Sequence, residues 1–250
     1  MLETSRQPDA ARKCQIVVPV YNEGDAVLST HEALCAEQIP FDSLKFVYDF
    51  DEDTSVPFIR QLQARDPRVA GEKNGYGRGA LNALKWGFAH CGPGPVIVIM
   101  GDRSDKLSII PAMLREWESG ATVVCPSRYM PGGRQHGGGL LKSTLSRWAG
   151  TSLKLFGFPT SDPTNSFKLY DGEWLRRQTI ESEGGFEVSL ELSYKAFVQG
   201  ERIVDIPSEW WDRRTGKSQF RLLKWLPLYL RWYFRAIGAL LGKRPTGRKS

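Results

Sequence analysis

The sequence has 250 residues, of which 41% are hydrophobic and 25% charged, and this composition fits one sizeable α/β domain or two small ones. No apolar run reaches the roughly 18 residues of a membrane span, and the polar N-terminus lacks the hydrophobic centre of a signal peptide. The cysteines are scattered and form no CxxC pair, which argues against a zinc site and favours reduced thiols in the cytoplasm.

The formal charge of +6 is unevenly distributed along the chain. Residues 213–250 contain 11 of the 34 basic residues and no acidic residue, so the preceding part holds 23 basic against 28 acidic residues. A basic C-terminal segment indicates an anionic partner, such as a membrane surface, a nucleic acid or a phosphorylated acceptor.

Apolar runs alternate with segments of helical periodicity from residue 14 onward. The pattern predicts strands at 14–20, 44–48, 69–72, 95–100, 121–125 and 203–210, and a turn that leads into a strand within 162–170. It predicts helices at 26–37, 56–65, 80–89, 109–119, 142–156 and 186–199. Such alternation is typical of a mostly parallel, doubly wound sheet in an α/β domain, here residues 13–218. Residues 1–12 are polar and are expected to be flexible.

The strand at 95–100 is expected to be central, because its residues from Val96 to Met100 are all apolar, as in a strand buried on both faces. Asp102 and Asp105 follow it, and the carboxyl ends of parallel strands face the ligand crevice. Two carboxylates suit Mg²⁺ or Mn²⁺, which also contact substrate phosphates. Alternatively, Asp105 caps the next helix and Asp102 is a solvated turn residue.

Two glycine-rich segments and one acidic pair are further candidates. Residues 75–79 precede a helix and could bring backbone N–H groups to a phosphate, although a tight turn explains them equally well. Residues 132–139 contain five glycines and predict a mobile loop or lid. Glu187 and Glu191 lie one helical turn apart, which predicts a solvated face or a pair that orients a basic residue or a sugar.

Several motifs, taken in order, resemble family 2 glycosyltransferases, in particular the polyprenyl-phosphate sugar transferases typified by dolichol-phosphate mannosyltransferase. The motifs are VVPVYNE, NGYGRGALNA, GDRSD, PSRYMPGG, DPTNSFKLY, GGFEVSLEL and DRRTGKS. The resemblance implies a GT-A fold in which a nucleotide-diphosphate sugar lies across the carboxyl edge of the sheet. It also implies inverting transfer of a hexose, from a donor such as GDP-mannose or UDP-glucose, to a polyprenyl phosphate or another lipid-linked acceptor.

Combined with the loops described above, the resemblance implies three groups of site residues. The donor-binding residues are Pro19, Tyr21, Glu23, Asp49, Gly77 and Lys168. The metal ligands, for Mg²⁺ or Mn²⁺, are Asp102 and Asp105. The acceptor-phosphate residues are Arg128, Arg134, Lys142, Ser146, Arg213 and Arg214. Of all these, the predicted catalytic residues are Asp102, Asp105, Arg128 and Lys142.

Two positions depart from the usual family pattern. The second strand ends in YDFD at residues 48–51 instead of Asp-Asp-Gly-Ser, so the choice between uridine and guanosine stays open. The usual Asp-x-Asp is DRSD at residues 102–105, so either Ser104 or Asp105 takes the second metal position. Asp105 is favoured, because a second carboxylate offsets more of the charge of a divalent cation.

Residues 219–242 are predicted to form amphipathic helices on the membrane surface, followed by a basic tail at 243–250. The basic residues on one arc of a helical projection are Arg221, Lys224, Arg231 and Arg235, and the tryptophans beside them are Trp225 and Trp232. Pro227 is expected to kink the segment or divide it into two helices. The implied location is the cytoplasm, at the inner face of the cell membrane. Alternatively, the apolar side packs on the protein's own sheet or on another subunit of a homo-oligomer.

Three other functions stay open at this stage. Transfer to a soluble hydroxyl acceptor would require a base such as Asp162 or Glu187. The chain could be an inactive sugar-nucleotide-binding module if its altered metal motif binds no cation. The basic C-terminus could bind nucleic acid, but the apolar content of residues 219–242 argues against a simple basic arm.

Overall fold

The structure is a computed structural model that describes residues 13–102, 104–212 and 222–242, with side chains for all of them except 140–142 and 222–224. The strands are β1 (Cys14–Pro19), β2 (Phe41–Tyr48), β3 (Val69–Lys73), β4 (Pro95–Val98), β5 (Val123–Ser127), β6 (Arg134–His136), β7 (Lys168–Asp171), β8 (Ile203–Pro207) and β9 (Glu209–Trp211). The helices are α1 (Ala26–Ala36), α2 (Val56–Gln63), α3 (Ala80–Ala89), α4 (Ile110–Glu118), α5 (Leu140–Leu155), α6 (Gly172–Arg176), α7 (Val188–Val198) and α8 (Leu222–Gly242). A short 3₁₀ helix, Leu107–Ile109, precedes α4.

Seven strands form one sheet in the order β3-β2-β1-β4-β7-β5-β8. β7 is antiparallel to both of its neighbours, and the remaining neighbours in this sheet are parallel. The predicted mostly parallel α/β sheet is therefore confirmed. The strand order reverses between β1 and β4, where a crevice opens outside the carboxyl ends of the strands. The segments that follow β1 and β4 flank this crevice.

The core lies on both faces of the sheet, because side chains of a strand point alternately to its two sides. Ile16 and Val18 of β1 pack with the apolar residues of α1, α2 and α4. Val17 packs on the opposite face with residues of α3, α6 and α7. Gly87 lets α3 approach β1 closely, since a Cβ atom there would lie 2.4 Å from Val17 Cγ1.

The glycine-rich segment 132–139 differs from the predicted mobile loop. Its central residues form β6, which pairs in parallel with β9. The predicted strand at 203–210 is divided at Ser208 into β8 and β9, and the Ser208 carbonyl accepts a hydrogen bond of 2.9 Å from the Arg134 N–H. Pairing between segments about 75 residues apart leaves no local pattern in the sequence, so the glycine content of 132–139 did not predict β6. A role of this segment as a mobile lid stays a prediction.

Helix α8 runs from Leu222 to Gly242 and contains Pro227, so of the two expectations for Pro227, a kink or a division into two helices, the division does not occur. Its buried residues Trp232, Tyr233 and Ala236 pack with Leu190 of α7 and Leu153 of α5. Part of the apolar side therefore packs within the same chain, on helices α5 and α7 and not on the sheet that the alternative named. Of the helices within the described ranges, none combines the length and the hydropathy that crossing a membrane requires.

Candidate active site

The loop after β1 is held in place by the segment that leads into α2. The Asn22 N–H donates to Asp53 Oδ2 over 2.9 Å, and the Glu23 N–H donates to Ser55 Oγ over 3.0 Å. Asn22 has a φ of 54°, a left-handed conformation that asparagine adopts more readily than most residues. This loop presents Tyr21 and Glu23 at the crevice, directly after the buried Pro19 that ends β1.

An aromatic surface lies at the carboxyl ends of β1 and β2. The half-exposed ring of Tyr21 packs edge-on against Phe50 with centroids 5.7 Å apart. The Cζ atom of Arg78 lies 4.7 Å above the Phe50 ring. An exposed ring flanked by a guanidinium can stack on a flat heterocycle and attract an anion. The departure from the family pattern at Phe50 thus contributes an aromatic wall to this edge of the sheet.

Asp49 anchors the glycine loop at 75–79. Its carboxylate accepts hydrogen bonds from the Asn74 side-chain amide and from the Gly79 N–H, the latter over 2.8 Å. Burial raises the pKa of this carboxyl. Gly77 and Gly79 have φ values of 93° and 126°, which residues with a Cβ atom rarely adopt. Asp49 was expected near the nucleotide base, but both of its carboxylate oxygens already accept hydrogen bonds from Asn74 and Gly79.

Asp102 and Asp105 lie in the segment after β4, as the sequence predicted. Asp102 Oδ1 accepts hydrogen bonds from Ser104, 2.7 Å from the hydroxyl and 3.2 Å from the N–H. Asp105 Oδ2 is buried and makes no hydrogen bond with any described residue. Burial, together with repulsion from Asp102, raises the pKa of Asp105 to about 7. A buried carboxylate oxygen beside a second carboxylate is an arrangement that a divalent cation would stabilise.

These two carboxylates fit a magnesium-type site better than a site made only of protein ligands. Within residues 13–102, 104–212 and 222–242, no cluster of three or more His, Cys, Asp and Glu side chains could hold a metal. Mg²⁺ is commonly bound by one or two carboxylates together with substrate phosphates. Ser104 is already bonded to Asp102, so Asp105 is the better second ligand of the two candidates.

Arg128, directly after β5, is fixed by Asp162 in a forked ion pair. Its Nε lies 2.7 Å from Asp162 Oδ2 and its Nη2 lies 2.8 Å from Oδ1, while the Arg128 N–H also donates to Oδ2 over 3.1 Å. The exposed fraction is 11% for the Arg128 side chain and 0% for Asp162. Such a fork sets both the position and the plane of the guanidinium. Nη2 also lies 3.4 Å from Ser146 Oγ.

Trp210 connects the metal motif with Arg128. Its backbone forms an isolated antiparallel bridge with Asp105, and its ring centroid lies 6.0 Å from Arg128 Cζ. Next to it, the Trp211 N–H donates to the Ser104 carbonyl over 2.9 Å. The motif after β4, β9 and Arg128 therefore form one contiguous group. This contact could not be predicted, because in the sequence Trp210 is only an apolar residue at the end of a strand.

Lys168 was expected to contact the donor, but the structure places it in a buried position beneath a turn. It lies in β7 with 0% of its surface exposed, and its Nζ donates to the backbone carbonyls of Asp162, Pro163 and Asn165. The distances are 3.2, 3.2 and 2.5 Å. Lys168 therefore holds the turn that carries Asp162, and burial lowers its pKa.

The other predicted acceptor residues are only partly described. Ser146 of α5 lies beside Arg128 and forms a hydroxyl contact of 2.6 Å with Thr164. Arg134 is exposed in β6. Lys142 lies in the first turn of α5, but its side chain is outside the described part of the chain, as are Arg213 and Arg214 entirely. The structure thus brings Arg128 and Ser146 together and leaves the remaining acceptor assignments as predictions.

Glu187 and Glu191 are buried, which excludes the solvated face, and Glu191 pairs with Lys195, in line with the alternative that the pair orients a basic residue. Glu187 accepts hydrogen bonds from the N–H groups of Glu183, Gly184 and Gly185, at 2.6 to 3.1 Å. Glu191 accepts from the Glu181 and Ser182 N–H groups at 2.6 and 2.8 Å, and pairs with Lys195 at 2.7 Å. These carboxylates hold the loop 181–185 in place. The GGFEVSLEL motif did not predict this structural role.

Two residues of the predicted basic arc of α8, Arg231 and Arg235, form ion pairs with Glu181 while their side chains remain about 40% exposed. Arg235 and Arg231 lie 2.9 and 3.6 Å from Glu181. Trp232, expected at the border of a membrane, is 1% exposed and packs against Tyr194. Of the other two residues in the predicted arc, Arg221 lies outside the described residues and Lys224 has no described side chain. The predicted orientation of this helix is therefore corrected for Arg231, Arg235 and Trp232.

The exposed apolar residues of α8 lie on another side and continue onto α5. We call them the α5–α8 apolar surface, which consists of Trp148, Leu155, Phe156, Leu230, Phe234 and Leu241. Tyr233 joins the two parts, since its ring stacks on Trp148 at 5.8 Å and meets Phe234 edge-on at 5.5 Å. Phe234 is 63% exposed and Leu241 72%.

The chain is similar in sequence to known glycosyltransferases. The family model for glycosyl transferase family 2 matches residues 15–179. An undecaprenyl-phosphate mannosyltransferase of Micrococcus luteus is 26% identical over 213 residues, covering 81% of this chain and 85% of that protein. A polyprenol monophosphomannose synthase of Mycolicibacterium smegmatis is 26% identical over 217 residues, covering 82% and 79%. A bactoprenol glucosyl transferase of Shigella phage SfV is 29% identical over 119 residues, covering 46% and 39%.

Among solved structures, the fold is similar to that of glucosyl-3-phosphoglycerate synthase from Mycobacterium tuberculosis, crystallised with Mn²⁺, uridine diphosphate and phosphoglyceric acid. The TM-score is 0.57 at 17% identity, and the match covers 95% of this chain and 81% of that one. The similarity confirms the expected GT-A-type α/β fold.

Proposed function

The chain belongs to glycosyltransferase family 2, and on that basis we propose that it transfers a hexose from a nucleotide-diphosphate sugar to a polyprenyl phosphate, with inversion. The observation that carries the proposal is the contiguous group at the carboxyl edge of the sheet. There Asp102 and Asp105 lie beside Arg128, which Asp162 and Trp210 hold in a fixed orientation. The names of the two relatives that match most of the chain support a polyprenyl phosphate as acceptor.

Asp102 and Asp105 would hold Mg²⁺ or Mn²⁺, which offsets the charge of the departing nucleoside diphosphate. Asp105 contributes a buried oxygen without a protein partner among the described residues, and Ser104 orients Asp102 for the same purpose. On the far side of the crevice, the aromatic surface of Tyr21 and Phe50 is suited to stacking on the base. The base itself and the sugar are not specified by these contacts.

Arg128 positions the acceptor phosphate in this proposal. Asp162 engages Nε and Nη2, so the Nη1 edge is the part of the guanidinium directed to a substrate. A phosphate monoester is already anionic near neutral pH, so the attacking oxygen needs orientation rather than deprotonation. Ser146 Oγ accepts from Nη2 over 3.4 Å and contacts the Thr164 hydroxyl at 2.6 Å, so in this arrangement Ser146 helps to position Arg128 beside the phosphate.

Transfer to a hydroxyl acceptor is the less favourable alternative. The two bases considered for it are both engaged: Asp162 is ion-paired with Arg128, and Glu187 accepts three backbone hydrogen bonds. Either carboxylate would have to break buried interactions before it could accept a proton from a hydroxyl group. An inactive sugar-nucleotide-binding module is disfavoured because the pair formed by Asp102 and Asp105 keeps the chemistry of a metal site.

The α5–α8 apolar surface supports association with a membrane surface, and the inner face of the cell membrane remains the proposed location. It exposes one tryptophan, two phenylalanines and three leucines along adjacent helices, as interfacial segments do. Serine substitutions at Trp148, Phe234 and Leu241 should reduce flotation with anionic liposomes, and Val198→Ser, on an exposed apolar residue of α7, is the matched control. If the triple variant and the control floated equally, the α5–α8 apolar surface would not be the part of the protein that binds the membrane.

A panel of UDP- and GDP-sugars, each with a polyprenyl phosphate and either Mn²⁺ or Mg²⁺, tests the proposed function. We expect one donor to yield a polyprenyl phosphosugar, detected by mass spectrometry, and Asp102→Asn to abolish the product. A parallel reaction with a polyprenol, which has a hydroxyl group in place of the phosphate, tests the alternative acceptor. Transfer to the polyprenol but not to the phosphate would refute the proposal.

A further inference from the structure

The buried ammonium group of Lys168 has the geometry of a structural cation. An ammonium group has three N–H donors and no acceptor. Nζ of Lys168 lies within 3.2 Å of three backbone carbonyl oxygens, those of Asp162, Pro163 and Asn165, so each donor has a partner. The three carbonyls belong to one turn, and Lys168 closes that turn from beneath.

The same turn is fixed to the strand that carries Arg128. The Asn165 side-chain amide donates to the Pro126 carbonyl of β5 over 3.0 Å. The Asp162 N–H donates to Thr160 Oγ1 over 3.1 Å, which orients the start of the turn. Displacement of the turn would therefore move the Asp162 carboxylate relative to β5, and the guanidinium of Arg128 is bonded to that carboxylate at two nitrogens.

We propose that Lys168 is a positioning residue for the acceptor phosphate, acting through the turn 162–165 and Asp162 to set the orientation of Arg128. This inference rests on the proposed function of Arg128. It replaces the donor contact first expected of Lys168 by a role on the acceptor side of the site.

A direct contact between Lys168 and a donor diphosphate would require a large rearrangement. Nζ would have to leave three carbonyl groups in a region where Lys168 has no exposed surface. Buried carbonyl groups that lose their donors are costly, and a charged amine can leave them only if new partners replace all three. The observed arrangement is complete without a ligand, as expected of a residue that shapes the site from behind.

Lys168→Met and Lys168→Gln form a matched pair for the test. Methionine keeps the length and removes every donor, whereas glutamine keeps two N–H donors for the carbonyls. Lys45→Met is the control, because Lys45 of β2 is also largely buried and also donates to a backbone carbonyl, that of His90 after α3, over 2.9 Å. For each variant, the KM for polyprenyl phosphate, the Kd for the nucleoside diphosphate with Mn²⁺ and the melting temperature are measured.

We expect Lys168→Met to raise the acceptor KM by about tenfold to hundredfold, the range that small misplacements of a substrate group produce. The nucleoside diphosphate Kd should stay within about twofold of wild type, and Lys168→Gln should fall between Lys168→Met and wild type. In an Arg128→Met background, Lys168→Gln should cause little further loss of acceptor use, because residues that act through one another are not additive. This coupling can be measured even if Lys168→Met does not fold.

Three outcomes would overturn the inference. A weakened nucleoside diphosphate Kd with an unchanged acceptor KM would return Lys168 to the donor side. If the melting temperature fell while the acceptor KM and the nucleoside diphosphate Kd stayed unchanged, Lys168 would have a purely structural role. The same would follow if the effects of Lys168→Gln and Arg128→Met on acceptor use were fully additive. If the wild-type protein transfers sugar to a polyprenyl phosphate normally, each of these outcomes overturns only the positioning role of Lys168. If the wild-type protein transfers no sugar to a polyprenyl phosphate, the proposed function is overturned, and this inference with it.

Discussion

Removal of the buried pair formed by Arg128 and Asp162 should separate its effect on stability from its effect on catalysis. Arg128→Met or Asp162→Leu alone leaves one charge buried without its partner, since the exposed fractions are 11% and 0%. Breaking such a pair costs about 3–5 kcal/mol. For a protein of this size, each 1 kcal/mol lowers the melting temperature by roughly 2–4 °C, so each single variant should melt roughly 6–20 °C below wild type.

The double variant Arg128→Met/Asp162→Leu should recover much of that loss. Two apolar side chains of similar volume can replace a buried ion pair at little cost. One penalty remains, because the Arg128 N–H loses the Asp162 oxygen at 3.1 Å. An unsatisfied buried donor costs about 1–3 kcal/mol, so the double variant should be less stable than wild type by about that amount. Urea unfolding of wild type, the two single variants and the double variant measures the coupling free energy between Arg128 and Asp162.

Catalysis should not recover with stability. The double variant lacks the guanidinium, so its KM for polyprenyl phosphate should remain high while its affinity for the nucleoside diphosphate stays close to that of wild type. If the double variant used the acceptor as well as wild type, Arg128 would not hold the phosphate. Single variants as stable as wild type would show instead that the pair is more solvated than its burial indicates.

The remaining predictions concern the metal ligands and the loop at 181–185. Asp102→Asn should lower turnover at least about 100-fold, as loss of a key electrostatic stabiliser does, and excess EDTA should abolish wild-type activity; activity that persists in EDTA would contradict a metal role. Because the pKa of Asp105 is raised from 3.8 to about 7, its proton stabilises the metal-free fold at low pH, and thermal stability should fall as the pH rises from about 4 through 7. Asp105→Asn should flatten this dependence, Mn²⁺ should restore stability at pH 8, and an unchanged profile in the variant would exclude Asp105 as its source. Glu191→Gln should cost about 3 kcal/mol in urea unfolding, because three buried contacts lose a charged acceptor, whereas Glu173→Gln on the surface should cost little.

The fold could be predicted because its signals are local. From β1 to β4, apolar runs alternate with helical periodicity, and the observed elements end within a few residues of the predicted ones. The place of Asp102 and Asp105 followed from the same reasoning, since the end of a buried parallel strand is a property of its own segment. The pairing of β6 with β9 was missed because it joins two distant short segments, one of them rich in glycine.

Burial of charged side chains could not be predicted from residue type. Lys168 and Glu187 are residues that usually remain exposed, and only the tertiary structure shows carbonyls around one and N–H groups around the other. The orientation of α8 was mispredicted for a related reason. Arg231 and Arg235 do share one side of the helix, but Glu181 lies against that side, which a helical projection cannot represent.

The acidic side chains around this site divide into anchors of loops and candidates for chemistry. The anchors bond to backbone N–H groups or to a fixed cation, and they are Asp49, Asp53, Asp162, Glu187 and Glu191. Each of them holds a segment that follows a strand or precedes a helix, and their lone pairs are largely used within the protein. Asp105 and Asp205 each keep one buried oxygen without a partner among the described residues. Asp205 accepts two hydrogen bonds from Ser161 with its other oxygen and is a further anchor, whereas Asp105 lies in the metal motif, where repulsion from Asp102 helps to raise its pKa. A protein that uses so many buried carboxylates to fix its loops, and leaves the buried Asp105 oxygen beside Asp102, has the preorganised electrostatics that transfer to an anionic acceptor requires.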